Sequence, residues 1–425
     1  MRLKTGLTFL AFTVGLAVIP ATAQDDVTIT VWDNFTRDVE SEMIEALDAA
    51  FTEATGINVL RETYTTDDLA LLLPRELSQE NGPDVAMVNQ GLNSMGAMVQ
   101  AGLLLPLNGY ADDYDWWSRY GEGLHARNSV TEDGTRFGSG NLYGVSTTAE
   151  VVGVFYNKSI FEELGISVPT TWEELESNLA TIAASDYTAI TFGNVEGWPG
   201  IHTYGAIAHV FSNISDVNDF IFRNEGATFV TEGNLNGANQ MLEWVEAGYF
   251  SNGFEGLDND NGALSEFISG QSAMWLAGSW NSGGIAEALG EDAVGFFILP
   301  SASGEEVAPT IGGVGLGYAI RATTANPDAA AAYVDFITSA DTASILLENG
   351  FLPAVAADES ELTEGTLTAD MVAAWNTISA ADRVGHYFDW VVPDMGAYIQ
   401  EMLAGAVTPE AFLENVQASY EEGQP

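Results

Sequence analysis

The chain has 425 residues, of which 46% are hydrophobic and 11% aromatic, and it carries a formal net charge of −49. This composition supplies enough apolar material for about two or three folded domains, which excludes a wholly disordered acidic protein. The absence of cysteine excludes disulfides and thiolate metal sites, and the acid excess argues against binding to a nucleic acid.

Residues 1–23 have the pattern of a signal peptide. Two basic residues precede an apolar segment, 7–19, which is too short to span a bilayer comfortably, and residues 21–23 fit the A-x-A cleavage rule. The alternative is a membrane anchor, although a lipoprotein anchor would need a cysteine. We therefore expect a soluble protein exported to the periplasm that begins near Gln24.

The first part of the chain alternates strand and helix patterns. Strands are predicted at 27–32, 57–60 and 84–88, and helices at 39–51, ending near Gly56, and at 95–101. This alternation predicts an open, largely parallel α/β sheet. Ligands of such sheets bind in the loops beyond the carboxyl ends of the strands.

Residues 108–141 have a loop-like composition, and strand and helix patterns resume after them. Thr171 and Glu174 form a capping box, which predicts a helix to about Ala184. Thr408-Pro409 is a typical helix start. Strands are also predicted at 142–145, 151–156, 189–192, 294–299 and 314–320, and helices at 236–247, 328–338 and 343–348. Pro and Gly are spread evenly, so no single linker divides the chain.

No group of residues in the sequence has the pattern of a catalytic or metal site. The four histidines lack metal-binding spacing, and segment 258–262 does not fit a calcium loop. The glycines of 312–317 precede a strand rather than a helix, which argues against a phosphate site. Lys158, the only lysine outside the leader, is interpreted as structural. We predict no catalytic residue, no cofactor and no metal. The excess of acids over lysine suggests a salty habitat.

Three segments share motifs with a known protein family. They are Val154-Phe155-Tyr156-Asn157-Lys158 with its continuation through 161–166 and 169–175, Gly270-Gln271-Ser272-Ala273-Met274 followed by Gly278-Ser279-Trp280, and Gly82-Pro83-Asp84-Val85 followed by Ala101-Gly102-Leu103-Leu104. In this order they resemble the extracellular solute-binding proteins of family 1, the maltose-binding-protein-like receptors of ABC importers. The resemblance covers essentially the whole chain after the leader.

The resemblance implies an α/β, two-lobed periplasmic binding protein fold of the type II kind. Each lobe would be an open, mostly parallel sheet flanked by helices, and several chain crossings would form the hinge. The N-terminal lobe would hold residues 24–149 and 313–349, and the C-terminal lobe residues 150–312 and 350–425. The crossings are expected near 148–151, 312–314 and 349–352.

The resemblance also implies a ligand between the lobes. Trp280 is predicted to stack on a sugar ring and Glu150 to accept hydrogen bonds from its hydroxyls. The other predicted ligand-binding residues are Asn34, Thr36, Arg37, Asn89, Gln90, Trp198, Asp389, Trp390, Gly312 and Gly313. The alternative for the tryptophans is core packing, and for the two glycines it is conformational freedom at the hinge.

The function implied by the resemblance is that of a carbohydrate receptor. It would capture a sugar or oligosaccharide by hinge closure and deliver it to the permease subunits of an ABC importer in the inner membrane, acting as a monomer. The same fold could instead bind a polyol, glycerol phosphate or a polyamine. A phosphate ligand would want Arg or a helix-terminus nest. A polyamine would want aromatic and carboxylate side chains around it. A secreted glycoside-active enzyme is the alternative from a different class.

Overall fold

The computed structural model describes residues 27–120, 122–355, 359–360 and 362–423. The predicted leader, 1–23, lies outside the described residues. Within the described part of the chain, no helix is both long enough and apolar enough to cross a bilayer.

Strands of the described chain form two larger sheets and one small ladder. The strands are β1 (Thr28–Asp33), β2 (Asn58–Thr63), β3 (Val85–Val88), β4 (Ser129–Val130), β5 (Asn141–Leu142), β6 (Val145–Ser146), β7 (Ala149–Asn157), β8 (Thr188–Thr191), β9 (Ser272–Gly278), β10 (Val294–Phe297), β11 (Thr310–Val314), β12 (Gly317–Ile320) and β13 (Val384–Gly385). The first sheet has the order β2-β1-β3-β12-β6. The second has the order β13-β11-β7-β9-β8, and β10 also pairs with β7.

Helices flank both sheets. They are α1 (Asp38–Thr55), α2 (Thr66–Glu76), α3 (Ala97–Gln100), α4 (Asn108–Asp113), α5 (Glu122–Ala126), α6 (Lys158–Leu164), α7 (Trp172–Ala183), α8 (Trp198–Phe211), α9 (Ile214–Ile221), α10 (Glu232–Glu246), α11 (Leu264–Ile268), α12 (Ser282–Leu289), α13 (Pro327–Ile337), α14 (Ala340–Glu348), α15 (Leu367–Ala380), α16 (Met395–Leu403) and α17 (Pro409–Glu422). Several short 3₁₀ and π turns connect them.

The first lobe is built on the first sheet. Strand β1 pairs in parallel with β2 and β3, whereas β12 runs antiparallel to β3 and β6. Helix α1 buries Ile44, Leu47 and Phe51 against this lobe's core. It ends at Gly56, whose φ of 75° is the left-handed conformation that a glycine adopts without strain.

The second lobe is centred on β7, which pairs antiparallel with β9, β10 and β11. Helix α8 is buried on nearly all sides, with Tyr204, Ile207 and Val210 inaccessible to solvent. A Cβ placed on Gly237 of α10 would lie 2.5 Å from the Cα of Ala208. Helices α8 and α10 therefore pack backbone against backbone, at a distance that only glycine permits.

Three chain segments meet where the two sheets adjoin. The amide of Ala149 donates to the carbonyl of Leu352 at 2.8 Å, and the amide of Gly315 donates to the carbonyl of Thr148 at 2.8 Å. Thr148 also forms a bridge with Pro353. The chain thus passes between the sheets in several places that hydrogen-bond to one another.

The predicted two-lobed α/β fold is confirmed, and the structure corrects four details. The sheets are mixed rather than mostly parallel, because β7 and β12 each pair antiparallel with their neighbours. The predicted strand 314–320 is two strands, since β11 lies in one sheet and β12 in the other. The predicted strand 142–145 is likewise divided between β5 and β6. The predicted loop 108–141 contains helices α4 and α5, whose shortness leaves little periodicity to detect.

Candidate functional site

A cavity of ≈ 410 Å³ lies between the two lobes. Ten of the twelve residues predicted to bind ligand line it, namely Asn34, Thr36, Arg37, Asn89, Gln90, Glu150, Trp198, Trp280, Asp389 and Trp390. Gly312 and Gly313 are not among the lining residues. The residues come from the loops that follow β1 and β3, from the start of β7 and α8, from the turn after β9, and from the segment after β13.

The second lobe presents an aromatic wall to the cavity. The ring centroids of Trp198 and His202 lie 5.0 Å apart, and His202 lies 5.3 Å from Trp280 and 4.9 Å from Tyr387. Trp198 is the first residue of α8 and does not lie in a loop as the sequence suggested. His202 follows it by one helical turn, so both rings point to the same side of the helix.

Trp280 rests on a bare stretch of backbone. A Cβ on Gly278 would come within 2.0 Å of the indole, so only glycine allows the ring to lie there. The side chain remains half-buried and lines the cavity, which leaves part of the indole open to a bound molecule. This packing gives a physical reason for the spacing of the Gly278-Ser279-Trp280 motif.

The first lobe presents a polar wall, which a buried ion pair holds in place. Arg61 contacts Asp33 through Nε to Oδ2 at 2.6 Å and donates through Nη2 to Oδ1 at 2.8 Å. The same Nη2 donates to the carbonyl of Phe35 at 2.9 Å. A two-point Arg–carboxylate contact of this kind is rigid. It fixes the loop after β1 that carries Asn34, Thr36 and Arg37.

Two of the predicted ligand donors are engaged with the protein itself. Arg37 donates from Nη1 to the carbonyl of Trp280 at 2.9 Å and from Nη2 to Oδ1 of Asn281 at 3.0 Å. Gln90 donates from Nε2 to the carbonyl of Gly315 at 2.5 Å. Arg37 therefore links the two lobes at the cavity rim, and Gln90 ties the first lobe to a crossing segment.

Two acids at the floor of the cavity have perturbed ionisation. Burial raises the pKa of Glu150 from 4.5 to about 7, although the hydrogen bond from Tyr387 and the charge of Arg127 oppose that shift. Burial also raises the pKa of Asp389 from 3.8 to about 6. Oδ1 of Asp389 has no hydrogen-bond partner among the described residues. Both carboxyl groups therefore titrate near neutral pH.

Trp390 and the two predicted glycines are organised by Arg127, which sequence reasoning missed. Trp390 is only 3% exposed, and the Cζ atom of Arg127 lies 5.6 Å from its ring centroid. Gly313 has a φ of 138°, and a Cβ there would lie 1.7 Å from the Arg127 guanidinium. Gly312 gives its carbonyl to Arg127. Gly313 thus makes room for an arginine beneath the cavity, and Gly312 supplies an acceptor for it.

The charge of the cavity lining is mostly negative. Five carboxylates line it, those of Glu40, Asp67, Glu150, Asp260 and Asp389, against one arginine, Arg37. Glu40, Asp67 and Asp260 were not predicted to line the site, because in so acidic a sequence a single acid does not stand out as a binding residue. No group of three or more potential metal ligands occurs within the described ranges. The lining suits a neutral or cationic solute better than an anion.

The sequence also matches the profile of a known protein family. The sequence profile described as "Bacterial extracellular solute-binding protein" matches residues 36–344. The chain belongs to this family. The resemblance identified from the three sequence segments is therefore confirmed.

Two individual proteins match over shorter stretches. The multiple sugar-binding protein of Streptococcus mutans is 27% identical over 214 residues, 47% of this chain and 48% of that protein. The osmoprotective compounds-binding protein GgtB of Synechocystis is 34% identical over 167 residues, 38% of this chain and 37% of that protein. The matched region spans about half or less of the length of these curated relatives.

Solved structures match over nearly the whole chain. A chitin oligosaccharide binding protein has a TM-score of 0.78 at 23% identity and covers 93% of this chain and 99% of its own. RafE in complex with raffinose has a TM-score of 0.74 at 21% identity and covers 94% of this chain and 100% of its own. At these identities the likeness concerns the fold.

Proposed function

We propose that this family member is the periplasmic substrate-binding component of a carbohydrate ABC importer. It captures a sugar or oligosaccharide between its lobes, closes by movement at the crossing segments, and delivers the solute as a monomer to the membrane permease. Ligand binding stabilises the closed arrangement because the solute contacts both lobes. The chemistry requires neither a cofactor nor a covalent step.

The observation that carries this proposal is the pairing of an aromatic wall with a polar wall. Trp198, Trp280 and Tyr387 present flat rings, which suit the apolar C–H faces of a sugar. Across the cavity, Asn34, Asn89 and the loop hydroxyls offer hydrogen-bonding groups. Flat apolar faces edged by hydroxyls are typical of carbohydrates. The names of the sugar-binding and oligosaccharide-binding relatives support the same class of ligand.

Of the other solutes, an anion such as glycerol phosphate fits least well. A phosphate ligand would want Arg donors or a helix-terminus nest, and the donors of Arg37 are occupied by Trp280 and Asn281. A polyamine remains the second candidate, because five carboxylates surround aromatic rings in the lining.

A thermal-shift screen in high salt tests the proposal. The panel contains monosaccharides, xylose-based and N-acetylglucosamine-based oligosaccharides, raffinose, glycerol phosphate and spermidine. A solute at ~100 times its Kd should stabilise the protein by about 2.7 kcal/mol, which gives a visible rise in Tm. We expect a saturable rise with one class of sugar.

The matched variants are Trp280→Ala and Trp117→Ala. Trp280 lines the cavity, whereas Trp117 is 37% exposed and donates to Asp112 outside it. The sugar-induced rise should disappear in Trp280→Ala and persist in Trp117→Ala. A rise with spermidine alone would replace the sugar proposal with the polyamine one. Recovery of a hydrolysed sugar after incubation would instead identify a glycoside-active enzyme.

A further inference from the structure

Arg127 is a buried charge that forms no ion pair. Its residue is 2% exposed, and no salt bridge within the described chain includes it. Burying an unpaired cation is energetically unfavourable, so a protein keeps one only where other contacts or a function offset that cost. Burial accordingly lowers the pKa of Arg127 to about 10, which still leaves it charged at neutral pH.

The backbone of Arg127 belongs to the first lobe. The next residue, Asn128, donates from Nδ2 to Oγ of Ser146 in β6 at 2.9 Å and accepts from Gln90 at 3.3 Å. Its backbone carbonyl accepts from Tyr143 at 2.9 Å. Arg127 therefore extends from a well-anchored point of the first lobe.

The guanidinium group lies in the second lobe, where it donates hydrogen bonds to backbone carbonyl groups. It donates to the carbonyl of Gly312 in β11, and Nη2 donates to the carbonyl of Gly385 in β13 at 2.8 Å. Its face covers the indole of Trp390. Strand β13 leads directly into the segment that carries Tyr387, Asp389 and Trp390. A planar fork with several donors can hold two strands and a ring at once, which a lysine cannot do.

The same charge acts on Glu150. Within the described part of the chain, the Glu150 carboxylate accepts a hydrogen bond from the hydroxyl of Tyr387, with 3.3 Å between OH and Oε2. The positive charge of Arg127 lowers the pKa of Glu150 against the effect of burial. An ionised carboxylate accepts hydrogen bonds from hydroxyl groups and donates none, so its charge decides which solutes it can bind.

We propose that Arg127 is a positioning and specificity-determining residue of the solute site, which favours the ionised form of Glu150 and holds the Tyr387–Trp390 segment in place. This inference rests on the proposed function. It implies that the bound solute has a hydroxyl group that donates a hydrogen bond to Glu150 at the floor of the cavity. A solute without that hydroxyl leaves the second oxygen of the buried Glu150 carboxylate without a donor and binds less tightly.

Any test has to distinguish the effect of Arg127 on the titration of Glu150 from the effects of other titratable groups in the cavity. His202 remains neutral in the neutral range, because burial lowers its pKa to about 3. Asp389 titrates nearby, so Asp389→Asn serves as its control. Arg127 and Tyr387 act directly on Glu150. The other titratable and charged groups that line the same cavity are Asp389, His202, Arg37, Glu40, Asp67 and Asp260.

The first measurement is a ligand-free titration. The infrared carboxyl band of protonated Glu150 is isolated as the difference between wild-type and Glu150→Gln spectra and followed against pH. We expect a midpoint near neutral pH in the wild type, and one higher by about one unit or more in Arg127→Gln. In Arg127→Lys the midpoint should stay at the wild-type value while Tm falls, because an ammonium keeps the charge but cannot span both carbonyls.

Two results would overturn the proposal. One is the same midpoint in the wild type and Arg127→Gln, and the other is an equal rise in Arg127→Lys and Arg127→Gln. If Arg127→Gln does not fold, Gly313→Ala replaces it, because the added methyl group displaces the guanidinium without removing its charge. A raised midpoint in Gly313→Ala supports the proposal, and an unchanged one contradicts it.

The second measurement links Arg127 to binding. Raffinose, xylobiose and chitobiose are titrated into the wild type and Arg127→Gln on both sides of the Glu150 midpoint. For a sugar that binds, the wild-type Kd should increase as Glu150 is protonated, and the pH at which this happens should be higher in Arg127→Gln. A pH-independent Kd overturns the specificity role. If no sugar in the larger panel binds, the proposed function fails, while the infrared titration still decides the role of Arg127.

Discussion

At the scale of single residues, Gly91 sets how closely the lobes approach. It has a φ of 88°, and a Cβ there would lie 2.7 Å from both Cα and Cβ of Trp390 in the other lobe. The tight contact lies at the edge of the cavity, where Trp390 also contacts Arg127. A methyl group at this point would act as a wedge between the lobes.

Gly91→Ala should therefore weaken solute binding more than it weakens folding. Overpacking costs about 1–3 kcal/mol, which corresponds to a rise in Kd of about 5- to 150-fold when it falls on the closed state. The control is Gly102→Ala, because Gly102 has a φ of 68° but nothing within 4 Å of the added Cβ. Isothermal titration with the sugar found by thermal shift, and small-angle scattering of the liganded protein, measure the effect. Equal losses of affinity in the two variants would contradict it.

The site was predictable where short motifs lie on one strand or loop. Trp280 and Glu150 could be placed because each stands at a fixed distance from a recognisable segment, and both line the cavity. Their contact with a solute remains a prediction. Arg127 was missed because its partners, Gly312 and Gly385, lie far away in the sequence. A lone arginine in an apparent loop gives no sign that it will be buried.

At the scale of elements, the close contact between α8 and α10 depends on a glycine and not on a periodic pattern of hydrophobic residues. Helix α8 has apolar residues on every side, so it lacks the stripe that predicts an amphipathic helix. It was consequently not predicted, although Gly197 and Pro199 are consistent with its start. The amphipathic helices α1 and α13 were found because one face of each is polar.

Two glycine-to-alanine changes should have opposite effects on stability. In Gly237→Ala the new Cβ meets the backbone of α8 at Ala208, which should cost about 1–3 kcal/mol in the free energy of unfolding. In Gly284→Ala, within α12, nothing lies within 4 Å, so alanine's helix propensity should stabilise by about 0.5–1 kcal/mol. Urea denaturation of both variants measures the difference. A neutral Gly237→Ala would show that α8 and α10 are free to separate.

At the scale of the whole molecule, charge repulsion should govern stability. The formal net charge of −49 acts on the folded state, and salt shortens the range of that repulsion from about 10 Å at 0.1 M to about 3 Å at 1 M. We expect Tm to rise between these KCl concentrations. The rise should shrink at about pH 5, where carboxyl groups begin to take up protons. A Tm independent of salt at neutral pH would contradict this account.

The overall architecture was more predictable than the direction of its strands. Alternating strand and helix patterns, with the three motifs, were sufficient for a two-lobed α/β fold. They could not show that β12 runs antiparallel to β3, because strand direction depends on how a distant segment returns to the sheet. The residue ranges assigned to each lobe remain a prediction.

The position of β12 has a consequence for the order of folding. Strand β12 lies between β3 and β6, so the first sheet lacks a central strand until residues 317–320 have been synthesised. The whole segment from β1 to β12 must therefore be complete before that lobe can close its own hydrogen-bond ladder. Such long-range pairing slows folding, because the entropy of closing a large loop is lost before the contacts form. The nascent chain should accordingly stay unfolded for longer than its domain sizes alone would suggest.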